Sequence, residues 1–320
     1  MTNAGVGGFG WNLLFGEVLG PLIAAGAFVV HFKIKKRRKA ARRERPPQRE
    51  KVLRPAGYSA LCRIDDLTER GLLALLYTLA AAAVLGIMCS AFFPLVEGLV
   101  AGRFTFTQVR GAASWHLLWP GATMMALALV VTVWQFWRTT KLDDDLRNWR
   151  FGLRGEQAVA EKLMSLELIR AGYATFHDVP GDGAWNIDHV VVGPGGVFVL
   201  ETKTRPRRKA TREQPEEKVT FDGRTLRFPW CDDAKAARQA ERNAKWVRKF
   251  IDYFAPKDIL VQPAVVVPGW FVESLGNYPV KAMNATYLVG YLTGSGRRFT
   301  EEQLRPILRR FDERCRDLEF

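Results

Sequence analysis

The stretch IDHVVVGPGGVFVLETK, residues 187–203, decides the fold. Two short apolar arms flank Gly193-Pro194-Gly195-Gly196, the composition of a tight turn between strands. Apolar residues occupy both faces of each arm, so the strands belong inside a sheet with helices covering parts of both sides. A hairpin closing symmetrically about Pro194 and Gly195 sets Val192 against Val197, Val190 against Val199, and Asp188 against Glu201. Lys203 then follows two residues on along the same face. A one-residue bulge at the glycines would break this alignment.

Opposed like charges destabilise a sheet, and burial raises that cost. Two readings meet the difficulty. In one, a divalent cation lies between the acids: Mg²⁺ (or Mn²⁺) takes hard oxygen ligands, commonly one or two carboxylates, and leaves positions for water and phosphate. Lys203 then stabilises charge on a reacting phosphate. In the other, the acids and Lys203 form an ion pair on a solvated strand edge.

The flanking sequence is α/β. Val159, Leu163, Leu166 and Ile169 keep helical spacing, predicting one helix over 153–169 with Glu156 in line with its apolar face. YATFHDV (173–179), ILVQPAVVVPG (259–269) and ATYLVGYL (285–292) read as strands. CDDAKAARQAERNAKWVRKFIDYF (231–254) reads as a helix capped by Asp232 or Asp233. Its stripe of Ala236, Gln239, Asn243, Val247 and Phe250 sends two amides towards the core, while Arg238, Arg242, Lys245 and Lys249 fall towards the other side. Thr300 opens a terminal helix with Glu302 or Gln303 near the capping-box position.

The N-terminal part differs in kind. Residues 11–32, 71–96 and 115–137 each exceed the roughly 18 apolar residues that a bilayer core demands. The first carries a single acid, Glu17, close enough to the end of the run to snorkel, and its basic cluster follows the apolar run, the reverse of a signal peptide. The loop 33–70 is dense in Lys and Arg, whereas the loop between the second and third runs has only Arg103 and Arg110. The bias predicts a multi-pass protein of the inner (cytoplasmic) membrane, N-terminus outside and C-terminal domain in the cytoplasm.

A net charge of +14 over 320 residues calls for an anionic partner, nucleic acid or lipid bilayer. The four cysteines are far apart and form no CxxC pair, which argues against a zinc ribbon and a disulfide framework and fits a reducing compartment. The apolar runs lack the polar stripe of a transporter or channel.

GLRGE (152–156), IDH (187–189), ETK (201–203) and RQAERN (238–243), in that order, resemble the NERD (nuclease-related) domain of the PD-(D/E)XK nuclease superfamily, over about residues 150–292. The resemblance implies a mixed central sheet flanked by helices and a Mg²⁺-dependent phosphodiesterase site. Asp188 and Glu201 would be the metal ligands, Lys203 the catalytic lysine, Glu156 an accessory acid and Gln239 a supporting amide. One departure is DDAKAA (232–237), where family members often carry an Asn-Pro pair. His189 should face away from the site.

The expected organisation is therefore a membrane anchor (1–140), a connector (141–149), the nuclease-like domain (150–292) and a C-terminal helix (293–320). The expected function is a membrane-tethered nuclease acting on nucleic acid, DNA in the first instance, in processing or in defence against incoming DNA. Arg205, Arg207, Arg208, Arg238 and Arg242 are the candidate phosphate contacts. Homo-oligomers or membrane partner proteins fit such an anchor. The competing class is a non-catalytic, membrane-tethered nucleic-acid binder or scaffold of the same fold.

Overall fold

A computed structural model describes residues 51–100 and 115–318, with side chains between 84 and 125 described in part. The chain divides into two compact units, the first containing the described residues 65–100 and 115–146, the second 51–64 and 147–318.

In chain order the elements are β1 (Val52–Leu53), α1 (Tyr58–Val100), α2 (Trp115–Leu163), α3 (Leu166–Arg170), β2 (Ala174–Pro180), β3 (Asn186–Gly193), β4 (Gly196–Thr202), β5 (Lys218–Phe221), β6 (Leu226–Arg227), β7 (Asp232–Asp233), α4 (Lys235–Ile251), β8 (Val261–Val266), β9 (Phe271–Ser274), β10 (Lys281–Met283), α5 (Ala285–Thr293), α6 (Glu301–Cys315) and β11 (Arg316–Leu318).

In the first unit, helical residues of α1 and α2 carry exposed apolar side chains, among them Leu75, Tyr77, Leu79, Leu127, Val130, Val133, Trp134, Phe136 and Trp137. Among the described residues, no helix is long and apolar enough to cross a membrane. The expected span 11–32 with Glu17, the basic residues 33–50 and the loop 101–114 lie outside the described residues.

The second unit is built on a mixed sheet in the order β10-β8-β4-β3-β2, with β2, β3 and β4 antiparallel and β4, β8 and β10 parallel. The hairpin has the predicted register: Val192 faces Val197 and Val190 faces Val199 across a two-residue loop at Pro194 and Gly195. Valine alternation explains why the strands are apolar on both faces. Val190, Val192, Val197 and Val199 pack against Val247 and Ile251 of α4 and Ile307 and Phe311 of α6. Val191, Phe198 and Leu200 pack on the other face against Val159 and Leu163 of α2 and Leu288 and Leu292 of α5. Burial of each such side chain contributes about 1.5–3 kcal/mol, so a register slip would be opposed on both sides. A smaller sheet, β7-β6-β5-β9, forms a third cluster with Ala236 and Ala240 of α4.

Several local expectations are corrected. The helix expected over 153–169 ends at Leu163 and restarts as α3, because the Ser165 side chain caps Leu168 N–H. The break shifts the helical phase, so Leu168 is buried while Leu166 and Ile169 are exposed. ATYLVGYL is α5, not a strand: Asn284 caps Thr286 N–H, and Ala285, Leu288 and Leu292 bury one helical face. Residues 141–149 are helical and continuous with α2. The helix α4 begins at Lys235, with Asp233 Oδ1 accepting from Lys235 N–H at 2.9 Å and Ala236 N–H at 3.1 Å from one residue outside the cap. At the C-terminus the expected capping box is present, formed by Thr300 and Gln303, and α6 packs into the main core. Among the described residues, Cys62, Cys231 and Cys315 form no disulfide.

Candidate active site

The β3–β4 ladder runs in register to His189 opposite Leu200 and ends there. The next residues in register are Asp188 and Glu201. Instead of continuing the main-chain ladder, Asp188 Oδ2 accepts from Thr202 N–H at 2.7 Å. Both acids lie on interior strands and are nearly inaccessible, 9% and 3% exposed. That excludes the reading of an ion pair on a solvated edge. Lys203 follows with Nζ at 3.8 Å from Glu201 Oε1, its side chain 21% exposed and so the part of the site open to solvent.

Glu156 reaches the same region from α2, and Gly155 explains how. A Cβ at residue 155 would collide with the side chain of Thr204, one residue beyond Lys203, so only glycine lets α2 pass this close to the strand exit. Val159, Ala160 and Leu163 bury the helix beyond it. Glu156 Oε2 is fully enclosed and has no hydrogen-bond partner.

The electrostatics follow from burial without enough compensation. Desolvation, then the charges of Asp188 and Asp178, push Glu156 up to about 8. Desolvation also raises Asp188 to about 6, against the Thr202 N–H and Lys203, which pull it down. Glu201 is held well above the usual carboxylate range, chiefly by desolvation and next by Asp188, with Lys203 and Arg242 opposing. Lys203 thus offsets Asp188 and Glu201, Arg242 offsets Glu201 further, and no cation draws Glu156 down. Such grouping of raised carboxyl pKa values is characteristic of functional sites.

The donor set fits a hard divalent cation. Asp188 and Glu201 offer carboxylate oxygens, and the enclosed, unpartnered Glu156 Oε2 is an acceptor lacking a donor. Mg²⁺ commonly takes only one or two carboxylates and fills its other positions with water. Among the described residues, no group of three or more His, Cys, Asp or Glu side chains is arranged to hold a metal ion.

The amide supplied to Glu201 comes from Asn243, which is fully buried and donates through Nδ2 to Glu201 Oε2 at 3.4 Å. Gln239 lies one turn earlier on α4, half-buried. Helical spacing placed both amides on the core side, and only the packing of α4 on β4 separates them.

Asp178 belongs to no motif in the sequence. Its position lies opposite Asp188, between the pairs His177–His189 and Val179–Ile187, at a φ of 47° that is rare for a non-glycine residue. It is completely buried but well satisfied. Arg54 pairs with Oδ2 at 3.1 Å, Ser59 donates from N–H at 3.2 Å and Oγ at 2.8 Å, and Asn186 donates to Oδ1 at 2.7 Å. No sequence signal links Asp178 to residues more than a hundred positions away. His189 lies within the sheet, its Nδ1 2.8 Å from His177 Nδ1. Desolvation holds His177 near 4 and His189 well below the usual value, so the pair is neutral at physiological pH.

The expected phosphate contacts divide. Arg205 is engaged by buried Asp233 at 2.7 Å, Arg207 by Gly269 O at 2.9 Å, and Arg208 lies over the Trp230 ring at 4.9 Å. The basic loop is thereby pinned to the small sheet and its flanking turns. Arg238 bonds Ala234 O within its own helix, at 2.9 Å. Arg242 is the one that acts on the acid site: it draws Glu201 down, approaches Asn243 Oδ1 at 3.4 Å, and covers Trp185 at 5.4 Å.

Residues 151–268 match the family described as NERD, nuclease-related domain. The match begins in the last turns of α2 and ends just beyond β8, so it contains Glu156, Asp188, Glu201, Lys203 and Asn243. Comparison with curated proteins and with solved structures gives no match. The matched segment, a mixed α/β unit with helices on its sheet, carries a nuclease-related domain.

Proposed function

We propose that the chain is a Mg²⁺- or Mn²⁺-dependent nuclease of PD-(D/E)XK type that hydrolyses phosphodiester bonds of nucleic acid, with DNA as the first candidate. The observation that carries this reading is the set of enclosed, under-neutralised carboxyls of Glu156, Asp188 and Glu201 around one half-open cation, Lys203. Asp188 and Glu201 would hold the metal, which when bound supplies Lewis-acid stabilisation of charge on the phosphate. Thr202 N–H fixes the Asp188 carboxylate, and Asn243 fixes that of Glu201. Lys203, solvent-reachable and beside both acids, binds the phosphate and stabilises negative charge developing on it. Glu156, protonated near neutral pH, has the proton inventory of an acid–base group.

Membrane attachment belongs to the same proposal. Its support is the row of exposed apolar side chains on α1 and α2, with the apolar run 11–32, which lies outside the described residues. Tethering at the inner face of the cytoplasmic membrane would position the nuclease for processing incoming DNA. The alternative, a non-catalytic nucleic-acid-binding scaffold, draws on the lack of a three-ligand cation cage among the described residues.

The test is a cleavage assay on the full-length chain in detergent, with plasmid, linear, single-stranded and RNA substrates and with Mg²⁺, Mn²⁺ or EDTA. Metal-dependent cleavage by the wild type, lost in Asp188→Ala and Lys203→Ala, is the expected result. Binding without cleavage selects the scaffold, and equal cleavage by all three proteins refutes the site.

A further inference from the structure

Beside the acid site, α4 and α6, with Trp185 before β3 and Phe254 after α4, carry a row of rings and guanidinium groups. Arg242, which acts on Glu201, lies over Trp185. Trp185 meets Trp246 edge-on at 5.5 Å, and Trp246 stacks on Phe250 at 4.9 Å and 11°. Arg314 lies over both Trp246 and Phe250, at 5.7 and 5.9 Å. Arg310 then bridges Phe250 and Phe254, at 5.2 and 5.6 Å. From Arg242 to Phe250 alone the row spans about 12 Å along the helix.

The row ends in a cavity of about 400 Å³ lined by Phe254, Arg305, Pro306, Arg309, Arg310 and Glu313. Three arginines meet a single acid there. Glu313 pairs with Arg309 at 2.9 Å and lies 3.9 Å from Arg310, and the Arg305 guanidinium has no hydrogen bond or ion pair among the described residues. Phe254 is 40% exposed and its neighbour Tyr253 is 90% exposed, an uncommon outlay of aromatic surface beside clustered cations.

We propose that this face is a track for single-stranded nucleic acid, leading away from the acid site to the Phe254–Arg305 cavity, which receives one unpaired nucleotide. The base stacks on Phe254 and the phosphate meets Arg305 and Arg309. Stacking platforms joined to a cationic groove are how proteins hold single strands without reading sequence, because every base has a π-face. A duplex presents phosphates but keeps its bases stacked on one another, and so cannot use Phe254. The inference rests on the nuclease reading, to which it adds the strandedness of the substrate and its path.

The experiment measures fluorescence anisotropy of a labelled single-stranded DNA of about 15 nucleotides, near the upper site size of one single-strand-binding fold, and of the corresponding duplex. The full-length chain is used in detergent and EDTA. Arg305→Glu and Phe254→Ala are each expected to weaken single-strand binding about tenfold, with duplex binding unchanged in Phe254→Ala and weakened less than single-strand binding in Arg305→Glu. Arg305→Lys should retain most of the affinity, and all three variants should melt with the wild type. Single-strand affinity unchanged in Arg305→Glu and Phe254→Ala overturns the track, and leaves the nuclease reading intact if the wild type cleaves. A wild type that neither binds nor cleaves nucleic acid removes that reading, and the track with it. Loss of binding to phosphatidylserine vesicles in Arg305→Glu, with oligonucleotide affinity unchanged, assigns the face to lipid and equally overturns the proposal.

Discussion

Asp178 and Asp188 occupy facing positions on β2 and β3, both are buried, and their surroundings are opposite. Asp178 receives Arg54, the Ser59 N–H and hydroxyl, and Asn186. Asp188 receives one N–H and the charge of Lys203, and has Glu201 and Glu156 for company. Asp233 repeats the first pattern: burial pulls its carboxyl up, but Lys203, the N–H groups of Lys235 and Ala236, and Arg205 outweigh it and leave it below the usual range. A buried acid with its partners built in is part of the fold. One left short of partners carries a standing energetic cost, and that cost is relieved only when something else binds.

The comparison breaks or holds on mutagenesis. The largest expected effect is on cleavage: Glu201→Gln, Asp188→Asn and Lys203→Ala should each lower the rate by about a hundredfold or more, measured by Mg²⁺-dependent nicking of plasmid. Activity retained in these variants would return Asp188 and Glu201 to the structural class.

Next in size is stability. Asp178→Ala should destabilise the second unit by about 3 kcal/mol, because it removes the buried carboxylate that Arg54, Ser59 and Asn186 bond. Chemical denaturation of the full-length chain reads this directly. The same physics predicts that a fragment starting at residue 148 is destabilised, since it lacks Arg54, Ser59 and the β1 partner of β11. In contrast, Asp188→Asn should leave the metal-free protein as stable as the wild type, or more so.

A smaller effect is the pH slope. Glu156 rises from an ordinary 4.5 to about 8 on folding, so between about pH 6.5 and 8 the folded chain holds a proton that the unfolded chain has released. Stability in EDTA should therefore fall as pH rises through this window. The neutral His177–His189 pair has the opposite sign but acts below its ordinary value of 6.5, outside the window. Thermal melts at the two ends of the window should show the slope, and Glu156→Gln should reduce it. A slope that survives this substitution unchanged would assign it to other groups.

The smallest effect, remote from the site, is Thr300→Ala. Loss of the capping box should cost about 1 kcal/mol without changing cleavage, and its melt calibrates how far a purely structural change disturbs activity.

Much of the fold is legible in local sequence. Helix α6 announces its own start, since a capping box is a contact between residues three apart. The 187–203 hairpin is legible because a two-residue loop and period-2 burial leave one register that buries the valines. ATYLVGYL misleads, because a short apolar run fits a strand or a buried helix equally well; the Asn284 cap and the packing against α3 and the sheet decide for helix. The basic loop is legible only as a charged segment, without its partners. Arg205 has the look of a phosphate contact, yet Asp233 lies beneath it, 28 residues later in the chain.

By itself the sequence determined the strands, the turn, and hence which acids end the hairpin together next to Lys203, since all of that follows from alternation and turn chemistry over 17 consecutive residues. Tertiary structure decided the rest. It chose Asn243 as the amide on Glu201, brought Glu156 in through the close passage of Gly155 over Thr204, and neutralised Asp178 with residues over a hundred positions away. The physical reason is range: backbone geometry propagates along a strand, whereas the charge balance around a buried acid depends on whichever distant side chains the packing delivers to it.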